Sequence, residues 1–481
     1  MSAKGINLAL LAKACFLSLD DFRKYEKMSS GRPFVQHLGE RERDSIASLV
    51  GRLEHLDLKL FDNFYYSYSI PKIGKEFDLL KFGRKKILNI ELKSENVGFD
   101  RIKNQLVLNY RYLNYLNREL KLYTFVADKQ ELFYLDKDFN LQRCDINKLV
   151  EDLYDLKDEK AVQIDELFKA CDYLVSPINE VEKFLNNHYF LTTHQDLIKR
   201  EIIDNKANRF FKVIGEAGTG KTLLLYDLAK ELSKKHQVRI VNVDKLTDNL
   251  KLIDDYFENI VISELNDYQE VNEEYILIDD SQRISINQLR LLIATNKRIV
   301  FFIDPKQVFT RIEINNNINK LIDKLNPVIY KLTNHIRINN DLFHFASAIF
   351  DLKYQLKDFN DEKIDVVYAS NPSELNDILN YYCQNDFALI RYPNSYNYQV
   401  KAVDYEAVLG NEFNNTILII DHDFGYEENT LITKGNPFFL KERLLYQGLV
   451  RTKNKVLIIC YRNKSVFKQI IKQAIKRGNQ K

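Results

Sequence analysis

Two patterns of apolar and polar positions divide this chain. In the last three fifths, short runs of β-branched and aromatic residues alternate with stretches of helical periodicity. FFKVI (210–214), VRIVNV (238–243), YILID (275–279) and RIVFFID (298–304) form one series; DVVYA (365–369), FALIR (387–391), TILIID (416–421) and KVLIICY (455–461) form a second. Runs apolar at every position, with helices between them, predict parallel strands covered on both faces. The first third begins with helical patterning and then turns to strands at 76–82 (EFDLLKF), 87–93 (ILNIELK), 121–127 (LKLYTFV) and 131–135 (ELFYL). Between them a helix over about 101–118 carries Ile102, Leu106, Tyr110 and Leu113 on one face. The fold class expected is α/β multidomain: an α+β core over 1–150, a helical connector over 151–185 with Pro177 at a boundary, and two α/β domains over 186–330 and 331–481.

Composition fits a compact chain with little linker: 45% hydrophobic, 29% charged, only 15 Gly and 8 Pro. A formal charge of +2 neither requires nor excludes a nucleic-acid partner. Its distribution is uneven. From Lys453 to Lys481 there are nine Lys or Arg and no acid, which reads either as the solvated face of a terminal helix with Val466, Phe467, Ile470, Ile471 and Ile475 inside, or as a phosphate-contacting tail. Cys15, Cys144, Cys171, Cys383 and Cys460 are widely spaced, with no zinc or disulfide pattern. The apolar stretch Ile6 to Leu19 is interrupted by Lys13 and lacks a basic leader, so neither signal peptide nor membrane span is expected and a cytoplasmic location follows.

The chemistry begins at GEAGTGKT, residues 215–222, which follows a strand and precedes the helical segment TLLLYDLAKEL. Gly215, Gly218 and Gly220 let backbone N–H groups curl around phosphates; Lys221 supplies a point charge and Thr222 a hydroxyl for Mg²⁺. ATP and Mg²⁺ are the cofactors implied. Asp279, ending YILID, is the expected metal-side acid, and Asp280 the residue that orients the attacking water. Gln307, just past RIVFFID, is placed to sense the γ-phosphate.

With these residues in order, positions 186–460 resemble superfamily 1 helicases, and within them the Schlafen-group-three-like helicases. LTTHQ (191–195) is similar to the entry motif, which implies that Gln195 reads adenine. DDSQR (279–283), IDPKQVF (303–309), LTNHIR (332–337), VLGNEF (408–413) and LYQGLVRTKNKVLII (445–459) resemble the later motifs, and make Arg337 and Arg451 the arginines that meet the γ-phosphate from the second domain. The resemblance implies two tandem RecA-like parallel-sheet domains. Two departures stand out: the second acid of DDSQR is Asp280 where the family has Glu, and Leu409 stands where it has Gln.

Upstream, Asp78 on one predicted strand and Glu91 and Lys93 on the next could share a sheet face, since strand side chains alternate. Two carboxylates and a lysine can hold Mg²⁺ beside a phosphodiester. The arrangement resembles the PD-(D/E)xK nuclease core over about residues 35–135, a restriction-endonuclease-like fold. Gln105, on the following helix, matches a Gln that such nucleases carry near the site. Glu42, on the upstream helix with Ile46, Leu49, Val50 and Leu53, is the supporting acid, although a helix N-terminus also attracts an acid for its own sake.

These readings lead to an ATP-dependent nuclease-helicase, DNA being the expected partner before RNA, with defence against phage or foreign DNA as the setting and room for a homo-oligomer or a defence partner. Two alternatives stay open: a nucleic-acid-stimulated ATPase switch with a non-cutting N-terminal domain, and an RNA (tRNA) nuclease.

Overall fold

The structure, a computed structural model, describes residues 4–30, 39–71, 73–156, 162–168, 175–243, 248–264, 272–333, 340–354, 361–393, 398–405, 408, 411–435 and 437–475. Arg337 and Leu409 lie outside them, as does the tail beyond residue 475. The chain divides into two compact units, Met1–Tyr173 and Leu174–Lys481. The division falls inside the stretch expected to be a connector, and the helix Ile146–Asp155 at its start packs Leu149 and Leu153 into the core of the first unit.

The first unit is built on a six-stranded sheet in sequence order: β1 (Phe64–Ser69), β2 (Glu76–Phe82), β3 (Lys86–Lys93), β4 (Glu119–Val126), β5 (Glu131–Leu135) and β6 (Leu141–Cys144). All neighbours are antiparallel except β3 and β4, which run parallel because the helix Phe99–Asn114 crosses between them. One face buries Leu79, Leu88, Ile90, Tyr123 and Phe125 against Ile46, Leu49 and Val50 of the helix Glu40–Gly51. The helix Phe99–Asn114 buries Ile102, Leu106, Asn109, Tyr112 and Leu113. Its inward stripe therefore passes through Asn109, not through the half-buried Tyr110 that the apolar periodicity favoured. A polar residue thus enters the interior where hydrophobicity alone gives no sign of it.

The second unit holds two parallel sheets. The first comprises β7 (Phe210–Gly215), β8 (Val238–Asn242), β9 (Ile260–Glu264), β10 (Tyr275–Ile278), β11 (Arg298–Ile303) and β12 (Val328–Leu332), in spatial order β12-β7-β11-β10-β8-β9. Alternation along β10 and β11 sends Leu277, Val300 and Phe302 to one side, against Leu224 and Leu228 of the helix Lys221–Leu232, and Ile276, Ile278, Ile299 and Phe301 to the other, against Leu289 and Leu292. Both faces are covered, which is why these strands are apolar at nearly every position. The second sheet contains β13 (Ile364–Ala369), β14 (Phe387–Arg391), β15 (Ala402–Asp404), β16 (Phe413–Ile420) and, after the hairpin β17 (Phe424–Glu427) and β18 (Thr430–Thr433), β19 (Thr452–Tyr461); its order is β13-β19-β16-β14-β15. The helix Lys464–Ile475 buries Val466 and Ile470 in that core, as the solvated-face reading of the terminal helix requires. No helix among the described residues is long and apolar enough to cross a membrane.

Gly448, in the helix Lys441–Val450, lies close against the second sheet: a Cβ there would meet Leu418 Cδ2 at 2.5 Å. Gly448→Val should lift this helix and cost about 1–3 kcal/mol through overpacking, read as a lower melting temperature. Leu418→Ala in the same chain should recover part of the loss; if it only adds to the damage, the helix is not seated by this contact.

Candidate functional site

In the second unit the chemistry gathers where three adjacent parallel strands end. β7 delivers Gly215 to the phosphate loop, β10 delivers Asp279 and β11 delivers Asp304, and the carboxyl ends of such strands are where open α/β sheets take ligands. The loop depends on its glycines for different reasons. Gly218 and Gly220 have φ of 74° and 83°, in the left-handed region. At Gly215 a Cβ would stand 2.4 Å from Thr219 Oγ1 and 3.1 Å from Leu332 Cβ, so only a bare Cα fits.

Lys221 opens the helix Lys221–Leu232 and is 6% exposed. Its ammonium donates to the Glu216 carbonyl at 3.1 Å and lies 3.4 Å from Asp304 Oδ2. Thr222 Oγ1 donates to Asp279 Oδ2 at 3.1 Å, joining the two expected metal-side groups. Burial, then the charge of Asp280, pushes the Asp279 carboxyl up to about 7; burial likewise raises Asp304. Three carboxylates thus face one lysine in a pocket short of positive charge, and a Mg²⁺ held by Thr222 and Asp279 fits that deficit.

Asp280 adopts a left-handed conformation, φ 47°, and is held by Gln282, whose Nε2 donates to Asp280 Oδ1 at 3.1 Å and to the Gln307 carbonyl at 3.3 Å. Gln282 Oε1 accepts from the Asp304 N–H at 2.9 Å. Gln307, 2% exposed, donates through Nε2 to Oε1 of Gln447 at 3.3 Å. The helix that carries Gln447 also presses Val450 against Ala217 of the phosphate loop, with Tyr446 and Phe343 alongside. Arg451 follows at the end of that helix, half-buried, its Nε without a hydrogen-bond partner among the described residues.

Gln195 takes partners other than an adenine edge. It is fully buried; its Oε1 accepts from the Thr192 N–H at 2.8 Å and its Nε2 donates to the Thr219 carbonyl at 3.0 Å. The reason is local: Thr192 and Gln195 form a reciprocal capping box at the start of the helix Thr193–Asp204. Gln195 therefore ties that helix to the phosphate loop. Elsewhere, the acids Asp421 and Asp423 already have a cation, Lys441 Nζ at 3.3 and 2.6 Å.

In the first unit, the register Leu79↔Ile90 and Leu80↔Asn89, extended by one residue, sets Asp78 opposite Glu91. There the Leu92 N–H donates to Asp78 Oδ2 at 2.7 Å. Glu91 is 2% exposed and is gripped by amides from the helix Phe99–Asn114: Asn109 Nδ2 lies 2.6 Å from Oε1, and Gln105 Nε2 3.3 Å from Oε2. Asn109 Nδ2 also reaches Asn89 Oδ1 at 2.7 Å. Lys93 Nζ stands 3.9 Å from Glu91 Oε2. Asp78, Glu91, Lys93 and Gln105 thus come together. Asn109 and Lys75 are additions: Lys75 is 6% exposed, and burial lowers its pKa against the opposing pull of Glu91 and Asp78. Burial, then the Glu91 charge, pushes Asp78 up to about 7, and the buried Asn109 Oδ1 and Thr124 Oγ1 have no hydrogen-bond partner among the described residues. Burial thus outweighs the lysines at Asp78, and a divalent cation fits between Asp78 and Glu91.

Glu42 makes no hydrogen bond to this group among the described residues. It is exposed, and its carboxylate accepts from the Gly39 N–H at 2.8 Å, capping its own helix. Its charge is felt at Glu76, the strand-mate of Asp78, and contributes after burial to raising that carboxyl.

An acid with a raised pKa binds its proton more tightly folded than unfolded. Asp78 therefore contributes stability that is present at low pH and falls as pH climbs from its ordinary 3.8 towards 7. Asp78→Asn removes the loss, so the wild-type melting temperature should decline relative to the variant between pH 5 and 8, and Mg²⁺ at pH 8 should raise the wild type alone. Parallel curves with and without Mg²⁺ would show that Asp78 is not part of a charged, cation-binding pair.

Comparison with known proteins adds a partial match. Residues 208–407, about two fifths of the chain, match the family described as Schlafen group 3, DNA/RNA helicase domain. No curated protein matches the sequence. Among solved structures, the helicase of PRRSV is similar at 10% identity over 53% of this chain and 53% of its own, TM-score 0.33. Arterivirus nonstructural protein 10, a helicase solved with DNA, is 15% identical over 54% of this chain and 62% of its own, TM-score 0.34. Bacteroides Pif1 bound to single-stranded DNA is 12% identical over 60% of this chain and 98% of its own, TM-score 0.33. The chain thus spans about half the length of the first of these, and likeness at this level assigns neither fold nor activity. What the comparisons do give is a helicase-domain match over 208–407, which takes in the phosphate loop, Asp279, Asp304 and Gln307 and begins well after Asp78, Glu91 and Lys93.

Proposed function

We propose that this chain is an ATP-hydrolysing, helicase-type enzyme acting on nucleic acid, whose first unit cuts the strand that the second unit moves or remodels. The observation that carries the motor reading is the convergence of Lys221, Asp279 and Asp304 at the ends of three neighbouring strands, with the helix of Arg451 packed on the loop they surround. Gly218 and Gly220, both in the left-handed region, let the loop curl around phosphates, and Lys221 places a charge beside them. Thr222 and Asp279 hold the metal, Asp280 orients water, Gln307 senses the terminal phosphate, and Arg451, with Arg337, supplies positive charge from the second parallel-sheet domain. A positioned arginine of this kind contributes about 10³–10⁵ in rate. Two RecA-like domains arranged over 186–330 and 331–481 would then convert closure around ATP into movement along a strand.

In the first unit, a PD-(D/E)xK-type reading gives Asp78 and Glu91 the role of holding Mg²⁺ and Lys93 that of placing charge at the phosphodiester, with Gln105 and Asn109 fixing the Glu91 carboxylate. At both sites the metal, when bound, supplies Lewis-acid polarisation of phosphate and a more acidic water. The pairing of motor and cutter suits the destruction of foreign DNA, DNA being preferred to RNA as substrate. A second reading draws on Glu91, both of whose oxygens are already hydrogen-bonded: the first unit binds nucleic acid without cutting, and the ATPase acts as a switch.

Lys221→Ala should abolish ATP hydrolysis, and turnover that survives it would refute the phosphate-loop assignment. Lys93→Ala should abolish cutting while ATPase is retained. Labelled single-stranded DNA, duplex DNA and tRNA, each with Mg²⁺ and with or without ATP, separate the readings. If none is cut while ATPase still rises with nucleic acid, the switch reading replaces the nuclease.

A further inference from the structure

Between the two parallel-sheet domains of the second unit, two glutamine side chains meet in the interior. Gln307 follows β11 and Gln447 lies on the helix Lys441–Val450; they are 2% and 1% exposed. One hydrogen bond joins them, Gln307 Nε2 to Gln447 Oε1, at a long 3.3 Å. The complementary pair of atoms, the acceptor Gln307 Oε1 and the donor Gln447 Nε2, is buried with no partner among the described residues. Buried polar atoms are nearly always paired, and two primary amides can close a ring of two hydrogen bonds. This pair is halfway to that ring.

What each glutamine is tied to gives the half-made pair its meaning. The Gln307 backbone is fixed to the catalytic side: its N–H donates to the Asp304 carbonyl at 3.0 Å, and its carbonyl accepts from Gln282, which also holds Asp280. The Gln447 carbonyl accepts the Arg451 N–H at 3.0 Å, one helical turn on. Arg451 Nε is itself buried and unpartnered. Three unsatisfied groups therefore lie along one path from the water-orienting acid to the arginine.

We infer that Gln447 is a positioning residue that passes the state of Gln307 to Arg451; the inference rests on the motor reading above. Gln307 Nε2 has two N–H groups. One can remain on Gln447 while the other donates to the terminal phosphate of a nucleoside triphosphate, an acceptor-only group. A small advance of the helix then closes the second hydrogen bond, Gln447 Nε2 to Gln307 Oε1, and carries Arg451 with it. Loss of that phosphate lets the pair relax to the single bond of the present structure. Apolar periodicity gives no hint of this, because Gln447 is buried on a helix face with Leu444 and Val450, three residues to either side.

The test uses the full chain. Gln447→Met keeps the volume and removes both amide groups; Gln447→Glu keeps the acceptor that Gln307 uses and replaces the donor of the second bond with a carboxylate oxygen, which also adds charge. Both should bind a fluorescent ATP analogue within about twofold of wild type, lose about tenfold or more in kcat, and lose stimulation by nucleic acid. Gln307→Met combined with Gln447→Met should be no worse than the weaker single variant, since the two act as a unit. Wild-type kcat in Gln447→Glu, or multiplicative losses in the double variant, overturns the inference. Should Gln447→Met fail to fold, Gln447→Leu, likewise neutral and without amide groups, decides the matter by the same kcat and binding readout. A wild-type chain that binds and hydrolyses no ATP would overturn the motor reading instead.

Discussion

The second unit depends on one buried ion pair, Lys221 with Asp304. The two groups are 6% and 0% exposed and 3.4 Å apart, and neither could be accommodated there alone. An isolated buried charge costs several kcal/mol, so removing either partner is far more damaging than the pair is stabilising. The pair fixes the loop after β7 to the end of β11, and β11 to β10 through Gln282, so strand ends that are merely adjacent in the sheet become one polar assembly. Two further carboxylates, Asp279 and Asp280, leave the assembly short of cations. A structure that already contains its lysine yet still raises the Asp279 carboxyl to about 7 is arranged for an additional positive ligand.

Much of this was legible in the sequence, and the exceptions have a common cause. The apolar runs of β7, β10, β11, β16 and β19 follow from burial of two faces, which composition records directly; β2 and β3 are also buried on both faces, with Asp78, Lys81, Asn89 and Glu91 breaking their apolar runs. β9 (IVISE) and β12 (VIYKL) carry the same signal in diluted form, with polar residues within edge strands, and were not anticipated. Asp304 sits beside Pro305 in a stretch already read for Gln307. Only the neighbouring strand, with Lys221 reaching across 83 positions of sequence, reveals what it does. Asn109, Lys75 and Gln447 are of the same kind: polar residues on inward faces, whose partners lie on other elements.

Glu42 and Gln195 share a second role with a single physical origin. Each is the third residue of its helix, and each returns its side chain to the backbone N–H three positions before, at Gly39 and at Thr192. Acids and amides at this position satisfy a donor that the helix cannot satisfy itself, so they occur there whether or not a ligand is near. Position within a motif suggested a role at a ligand for both; position within a helix gives both a structural role as well. Gln195 still matters to the site, because its other amide atom holds the Thr219 carbonyl of the phosphate loop.

The two sites solve one problem in the same way. Glu91 is held by Asn109 and Gln105, and Asp280 by Gln282, so in each unit a neutral amide orients the acid. A lysine or arginine in those places would hold a carboxylate more strongly, but it would also cancel the charge needed to attract a metal. An amide donates a directional hydrogen bond and leaves the net charge unchanged. Each cluster also contains lysine, Lys221 beside Asp304 and Lys93 beside Glu91, yet burial still raises the Asp78 and Asp279 carboxyls, and that is the physical basis for reading both clusters as cation-dependent sites.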